Sequence, residues 1–375
     1  MNIALQKAIV FILLIFLGIF LKKKVGSGSE VNSLKALILN VALPATVFIA
    51  LLKIDVDQSF IYLPFIALLF NVVLWYSTKA FLRFSNIQEN SSQGRTLQLL
   101  IPSFAPGLST FAIISEFLGD KVLAMAAFAD VGNKIFVLLI MYLISMHWYY
   151  QVTQQKVIDL NQRWGRLKQL IKALLQEPIN IALIIALTLV FLGYNISVLP
   201  LFLRDSVEKM AVMMTPLVLI FIGLTVKLRK NNVVILLQSI LWRSGVAFLL
   251  SAGFLFLLPA SLPLNIQLLI IVLPQSACSF WPFAHMSMVN DLNYDNNKPK
   301  IFKLDMAVNL LALSLPFSTI ISLIICSTGE LFTSLSSIIY LGISLLSLSI
   351  LPFVIHVYQV FKRSLRIYKT KTLST

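Results

Sequence analysis

The sequence predicts an all-α membrane bundle of two five-helix halves inserted in opposite senses, with one additional C-terminal helix. Three observations lead there. Hydrophobic residues make up 58% of the chain and charged residues only 12%, a balance foreign to soluble domains. Apolar runs of about 20 residues, the length that crosses a bilayer, fill the chain and leave no room for a soluble domain. Two of those runs carry a helix-breaking cluster at corresponding places, Pro102–Gly107 and Pro274–Pro282.

Eleven segments follow in order: Leu5–Leu21, Leu34–Leu52, Phe60–Leu82, Leu97–Leu118, Val122–Ser145, Ile179–Val198, Val207–Val226, Val233–Leu258, Ile266–Met288, Phe302–Cys326 and Ser334–Val357. The first is expected to be a retained helix rather than a cleavable leader, because Lys22, Lys23 and Lys24 follow the apolar run where a leader has its charge in front. The fourth contains Ile101-Pro-Ser-Phe-Ala-Pro-Gly107. Proline lacks an N–H and clashes with the preceding turn, so no regular helix runs through it. The ninth contains Pro274-Gln-Ser-Ala-Cys-Ser-Phe-Trp-Pro282 and is expected to break in the same way. Backbone freed at membrane depth is tolerated where it faces protein or a water-filled cavity. Between segments five and six, Asn161–Lys172 is expected to be an interfacial helix, with Trp148, Tyr149 and Trp164 at headgroup level.

The first five segments can be laid on the next five. A shift of 172 places Pro44 on Pro216, and it places Pro102, Ala105, Phe111 and Ala112 on Pro274, Ala277, Phe283 and Ala284. It also sets Asn71 opposite Arg243. Five helices per unit is an odd number, so the units enter the membrane from opposite sides. The expected organisation is a first repeat over residues 1–149, a linker over 150–177, a second repeat over 178–326, and an extra helix with a basic tail over 327–375.

The net charge of +15 is distributed by side. Lys22–Lys24, Lys35, Arg83, Arg95, Lys156, Arg163, Lys227, Arg229, Lys298, Lys300 and the tail Lys362–Lys371 lie on one side. Lys7, Lys53, Lys121, Arg204 and Lys209 lie on the other. Such asymmetry is the positive-inside bias, which predicts the N-terminus outside and the C-terminus in the cytoplasm of a plasma or inner membrane. Scattered over separate loops, these groups make no nucleic-acid surface. Cys278 and Cys326 have no metal or disulfide spacing, and the three histidines form no ligand cluster, so neither a metal nor a cofactor is expected. No nucleophile–base constellation points to an enzyme.

Ionisable groups within membrane helices are the first candidates for function. Arg243, near the middle of segment eight, reads as an anion-binding or gating cation, or as half of a helix–helix ion pair. Asp130 and Lys134 are spaced to pair on one helix face, as a structural pair or as a coupling or gating switch. Asn133 and Asn309 offer amides to a substrate or to neighbouring helices. Asp305 is either solvated or a protonatable coupling group. The interruptions bring Ser103, Pro106, Gly107, Ser109, Ser276, Cys278, Ser279 and Pro282 towards the centre, where half-helix N-termini and Arg243 favour an anionic ligand. No carboxylate stands beside either break, which favours proton coupling or facilitated passage over sodium coupling.

These residues carry a resemblance. Leu17-Gly18 followed by lysines, Leu39-Asn40-Val-Ala-Leu-Pro44, Pro102-Ser-Phe-Ala-Pro-Gly107, Phe117-Leu-Gly-Asp120 and Phe128-Ala-Asp-Val-Gly-Asn133 together resemble the auxin efflux carrier family over roughly residues 5 to 326. The resemblance implies a ten-helix inverted repeat similar to the bile acid:sodium symporter fold. Segments 1, 2, 6 and 7 would form a scaffold, 3–5 and 8–10 a mobile transport domain, and segments 4 and 9 would cross at their broken centres. It also makes a homodimer through the scaffold plausible. The chain departs from the pattern with Ala105 and Trp281 before the crossover prolines, and with its eleventh segment. The function expected is alternating-access transport of a small organic anion by an integral membrane permease; the rival is a channel-like or sensor protein of the same fold.

Overall fold

The computed structural model describes residues 3–25, 29–53, 60, 62–153, 160–225, 233–259, 262–292, 300–332 and 334–372. Every described element is helical. In order they are α1 (Ile3–Val25), α2 (Ser29–Leu37), α3 (Leu43–Leu52), α4 (Leu63–Phe84), α5 (Ser92–Leu100) and α6 (Phe111–Leu118). These are followed by α7 (Asp120–Ile135), α8 (Met141–Thr153), α9 (Leu160–Gln176), α10 (Pro178–Phe191), α11 (Leu201–Val212) and α12 (Met214–Thr225). The last five are α13 (Val233–Leu257), α14 (Leu264–Val272), α15 (Trp281–Leu292), α16 (Leu304–Ser327) and α17 (Leu335–Thr372).

Among the described residues, seven helical stretches are long and apolar enough to cross a membrane, which suits a multi-pass membrane protein. They are Glu30–Leu52, Leu63–Phe84, Asp120–Thr153, Leu201–Thr225, Val233–Leu257, Leu304–Ser327 and Leu335–Val354. Each meets a segment expected from the sequence. The remaining four expected segments coincide with α1, with α5 and α6 together, with the short apolar α10, and with α14 and α15 together. Residues 26–28 and the basic residues Lys156, Lys227, Arg229 and Lys298 lie outside the described residues.

Two stretches join their neighbours through a π turn. Ile38–Ala42 links α2 to α3, where Leu43 donates its N–H to Ile38 five residues back. Pro44 has no N–H to give, so the widened turn absorbs the missing bond of the first turn of α3. Phe136–Ile140 does the same between α7 and α8. The tight α6–α7 junction depends on Gly119, whose φ of 88° lies in the region open to glycine.

The core forms two large clusters of buried apolar side chains. One collects α1, α3, α6, α7, α12 and α14 around Phe111, Leu123 and Phe248; the other collects α5, α8, α15 and α16 around Phe136 and Phe302. Backbones approach closely where glycine permits. A Cβ at Gly18 would overlap the Ile220 carbonyl of α12, and one at Gly132 would overlap the Pro64 carbonyl of α4. Trp148 and Tyr149, expected at headgroup level, are buried, with Trp148 packed on Phe302 at 6.1 Å between centroids. The cause is their position on the inner face of α8. Helix α9 covers the expected interfacial stretch; the Trp164 side chain lies outside the described residues.

Candidate functional site

Between α5 and α6 the chain passes through Ile101–Thr110, which contains only a short 3₁₀ turn at Pro106–Leu108. Between α14 and α15 it passes through Leu273–Phe280, with a 3₁₀ turn at Leu273–Gln275. These two non-helical stretches lie against one another. The Ala105 N–H donates to the Ala277 carbonyl at 2.8 Å. The Ala277 N–H donates to Ser109 Oγ at 3.0 Å, and that hydroxyl donates to the Ala105 carbonyl at 3.0 Å. The Ser279 N–H donates to Ser103 Oγ at 2.9 Å, and Ser103 donates to the Leu100 carbonyl at 2.7 Å. Two serines thus serve as hydroxyl links between main chains that have left the helical pattern, meeting the requirement that buried backbone groups be paired.

Other side chains hold further freed groups. Asn133 on α7 pairs with the backbone of Phe104 in both directions, donating to its carbonyl at 2.9 Å and accepting its N–H at 3.1 Å. Asn71 on α4 donates to the Pro102 carbonyl at 2.6 Å and to Asn133 Oδ1 at 3.2 Å. Arg243 on α13 donates from Nε to the Ile101 carbonyl at 2.8 Å and from Nη2 to the Ser103 carbonyl at 3.0 Å, with its Cζ 5.2 Å from the centroid of the Phe104 ring. In the second stretch the Cys278 N–H donates to Ser314 Oγ at 3.1 Å. Ser244 on α13 donates to Gln275 Oε1 at 2.6 Å, and Gln275 Nε2 donates to the Ser244 carbonyl at 3.2 Å.

Two cavities flank the paired stretches. One, of about 310 Å³, is lined in part by Asn40, Phe104, Pro106, Gly107, Asp130, Asn133, Lys134, Glu177 and Ser279. The other, of about 340 Å³, is lined in part by Asn32, Thr225, Ala277, Cys278, Phe283 and Leu311. Lys35, Ala105, Leu108 and Phe280 border both, so these four residues form the partition between them. The Lys35 ammonium stands 4.0 Å from the centroid of the Phe280 ring, a cation–π distance. Among the described residues Lys35 has no ion-pair partner.

Lys134, by contrast, is held by three oxygens. It lies 2.5 Å from Glu177, 3.5 Å from Asp130 and 3.2 Å from Asn180 Oδ1. Asp130 in turn accepts from Asn133 at 2.8 Å. A continuous polar chain therefore runs from the start of α10 through Lys134, Asp130 and Asn133 to the backbone of Phe104.

Of the residues expected to make the site, Pro106, Gly107, Asp130, Asn133, Lys134 and Ser279 line the first cavity and Cys278 the second. Ser103 and Ser109 line neither and link the two stretches instead. Arg243 borders neither: it is buried, and its guanidinium holds the carbonyls that the break leaves behind, a fork geometry lysine lacks. Ser276 bonds back to Leu273, and Pro282 is buried in the first turn of α15. Asn309 is half-buried on α16 outside both linings, and Asp305 is exposed in the first turn of that helix, where a carboxylate complements the dipole.

Sequence reasoning missed Lys35, Phe280 and Glu177. From the sequence alone Lys35 reads as one more loop cation. The available signal is the spacing Lys35, Leu39, Leu43, which puts all three on one helical face, and all three line the first cavity. No family model matches the chain, and no curated protein matches it.

Proposed function

We propose that this chain is a membrane carrier of a small organic anion that works by alternating access, built on the inverted-repeat plan of the auxin efflux carriers. The observation that carries this reading is the pair of cavities separated by Lys35 and Phe280 at the place where two non-helical stretches meet. In transporters of inverted-repeat design, the substrate site lies between interrupted helices near mid-depth. Here the contact joins Ala105 to Ala277, the same pair that the 172-residue shift of the sequence makes equivalent. That coincidence supports a pseudo-two-fold axis through the contact and the reading of α5–α6 and α14–α15 as broken, crossing membrane helices.

The ligand class follows from charge. Lys35 is the cation both cavities share, and the walls around it are largely apolar, so a carboxylate on a small apolar body is the matching solute. The side chains here bind and position; none forms a nucleophile–base pair, and we assign no enzymatic step. Asp130, Lys134 and Glu177 are the coupling or gating group of this scheme, since the ammonium can favour the carboxylate on its own helix or the one on α10. Proton coupling fits it better than sodium coupling. The charge bias sets the N-terminus outside and the C-terminal tail in the cytoplasm of a plasma or inner membrane, with a homodimer through α1, α3, α10 and α12 as the natural assembly.

The test is a thermal-shift screen of the purified chain against small mono- and dicarboxylates, with Lys35→Gln alongside. A ligand that stabilises the wild type and not the variant supports an anion carrier anchored at Lys35. Equal stabilisation of both keeps the anion and removes the anchor. Stabilisation by no carboxylate overturns the reading in favour of a channel-like or sensor protein. Saturable counterflow of the stabilising ligand in vesicles then separates a carrier from a channel.

A further inference from the structure

Helix α17 falls outside the internal repeat, yet it is the element most intimately joined to α13. Two points of contact fix their register. Gly245 and Gly342 meet backbone to backbone: a Cβ on Gly245 would stand 2.8 Å from the Gly342 carbonyl oxygen, and one on Gly342 would stand 3.1 Å from that of Gly245. Seven residues away along each helix, Gln238 Nε2 donates to the Ser349 carbonyl at 2.9 Å, and Ser349 Oγ donates to the Gln238 carbonyl at 2.8 Å. Positions 238 and 245 lie two turns apart on one face of α13, and 342 and 349 lie likewise on α17, so the two helices run antiparallel with matched faces. The reciprocal bond between Gln238 and Ser349 pairs two main-chain carbonyls a second time, which a register shift would undo.

Within those same two turns, α13 carries Arg243 and Ser244. Arg243 holds the carbonyls of Ile101 and Ser103 in the first non-helical stretch, and Ser244 exchanges hydrogen bonds with Gln275 in the second. One short length of α13 therefore touches both stretches from one side and α17 from another.

We infer that α17 is a brace for the paired stretches: by fixing α13 in register, it keeps Arg243 and Ser244 on their partners and the two stretches in contact. It acts as one body with α13, and its docking sets how readily the central contact opens. This holds whether the chain carries a solute or not. A helix that served only to anchor the C-terminus would need neither the glycine contact nor the reciprocal side-chain pair.

The chain supplies its own reporter. It has two cysteines, both buried, and Cys278 lies within the second stretch. In a Cys326→Ala background Cys278 is the sole thiol, and it stands buried at the wall of the second cavity; the change in its rate of alkylation by N-ethylmaleimide relative to this parent, in the detergent-solubilised full chain, reads the change in local opening. Gly342→Leu, which drives a side chain into Leu249 and the Gly245 carbonyl, is expected to speed alkylation by about tenfold, the change produced when local opening becomes ten times more populated. Ser349→Val, which removes the hydroxyl and adds a methyl at a buried point of the α13 contact, is expected to speed it severalfold. Tyr340→Ala, on the exposed face of α17, is expected to leave the rate unchanged. The inference is overturned if Ser349→Val and a folded Gly342→Leu both alkylate at the parent rate, or if Tyr340→Ala speeds the reaction as much as they do. Should Gly342→Leu fail to fold, Ser349→Val and Gln238→Leu decide the matter alone by the same criterion.

Discussion

Asn133 holds Phe104 by both of its main-chain polar groups, giving its amide to the carbonyl at 2.9 Å and taking the N–H at 3.1 Å. A side chain here does what a neighbouring strand would do. Replacing it with leucine keeps the volume and strands two buried backbone groups, each worth about 1–3 kcal/mol when unpaired. Asn133→Leu should therefore lower the melting temperature of the purified chain sharply, and Asn133→Asp should be no rescue, because its carboxylate loses the donor to Phe104 and faces the Asp130 carboxylate across a 2.8 Å contact. Equal melting of wild type and Asn133→Leu would show that the contact carries no stability.

Arg243 is expected to behave as a structural residue. Arg243→Lys can reach one of the two carbonyls and Arg243→Ala neither, so the loss of stability should rise in that order, by about 1–3 kcal/mol for each acceptor left bare. A ligand found by the carboxylate screen should still stabilise a folded Arg243→Lys chain. Loss of that ligand effect with stability intact would return the anion site to Arg243.

The Lys134 cluster makes a separate prediction in its energetics. Its ammonium is nearly enclosed, with 10% of the side chain exposed against 6% for Asp130. Removing one partner of a buried pair leaves an uncompensated charge and costs about 3–5 kcal/mol, whereas removing both is much milder. Lys134→Met should thus destabilise strongly, and adding Asp130→Asn should restore part of the loss. A double-mutant cycle by chemical denaturation measures the coupling; additivity would mean that Lys134 is held by Glu177 and Asn180 without Asp130.

Glycine spacing gives the plainest contrast. A methyl at Gly132 has no room beside the Pro64 carbonyl, so Gly132→Ala should destabilise by about 1–3 kcal/mol through forced backbone shifts. At Gly253, on the exposed side of α13, nothing lies within 4 Å. Gly253→Ala should gain about 0.5–1 kcal/mol of helix stability. Parallel thermal melts of the two variants check both signs.

How far the sequence could be read depended on the kind of signal. Long apolar runs translate directly into helices, because length and composition suffice to specify them, and α4, α13 and α16 lie close to where the apolar pattern puts them. The proline clusters marked the chain at 101–110 and 273–280 because proline acts on its own backbone. Partners across space left weaker marks. Arg243 stood out as a charge in an apolar run, but the two carbonyls it serves lie 140 and 142 positions away. Lys35 was hidden for the opposite reason, since a lysine beside a basic loop looks solvated until α2 carries it against Phe280. The pairing of Asp130 with Lys134 was legible from its spacing; the addition of Glu177 from α10 was not.

The contact between Ala105 and Ala277 has one direct bond and one routed through the hydroxyl of Ser109. A hydroxyl both donates and accepts and swings about its Cα–Cβ bond between staggered positions. The direct bond fixes the separation of the two main chains at Ala105 and Ala277, whereas a single torsion of Ser109 undoes the second link. A pair of direct peptide bonds would have to part together. With Ser109 in place the meeting point is a fixed pin beside a releasable latch, and the two stretches can pivot about the first once the second lets go.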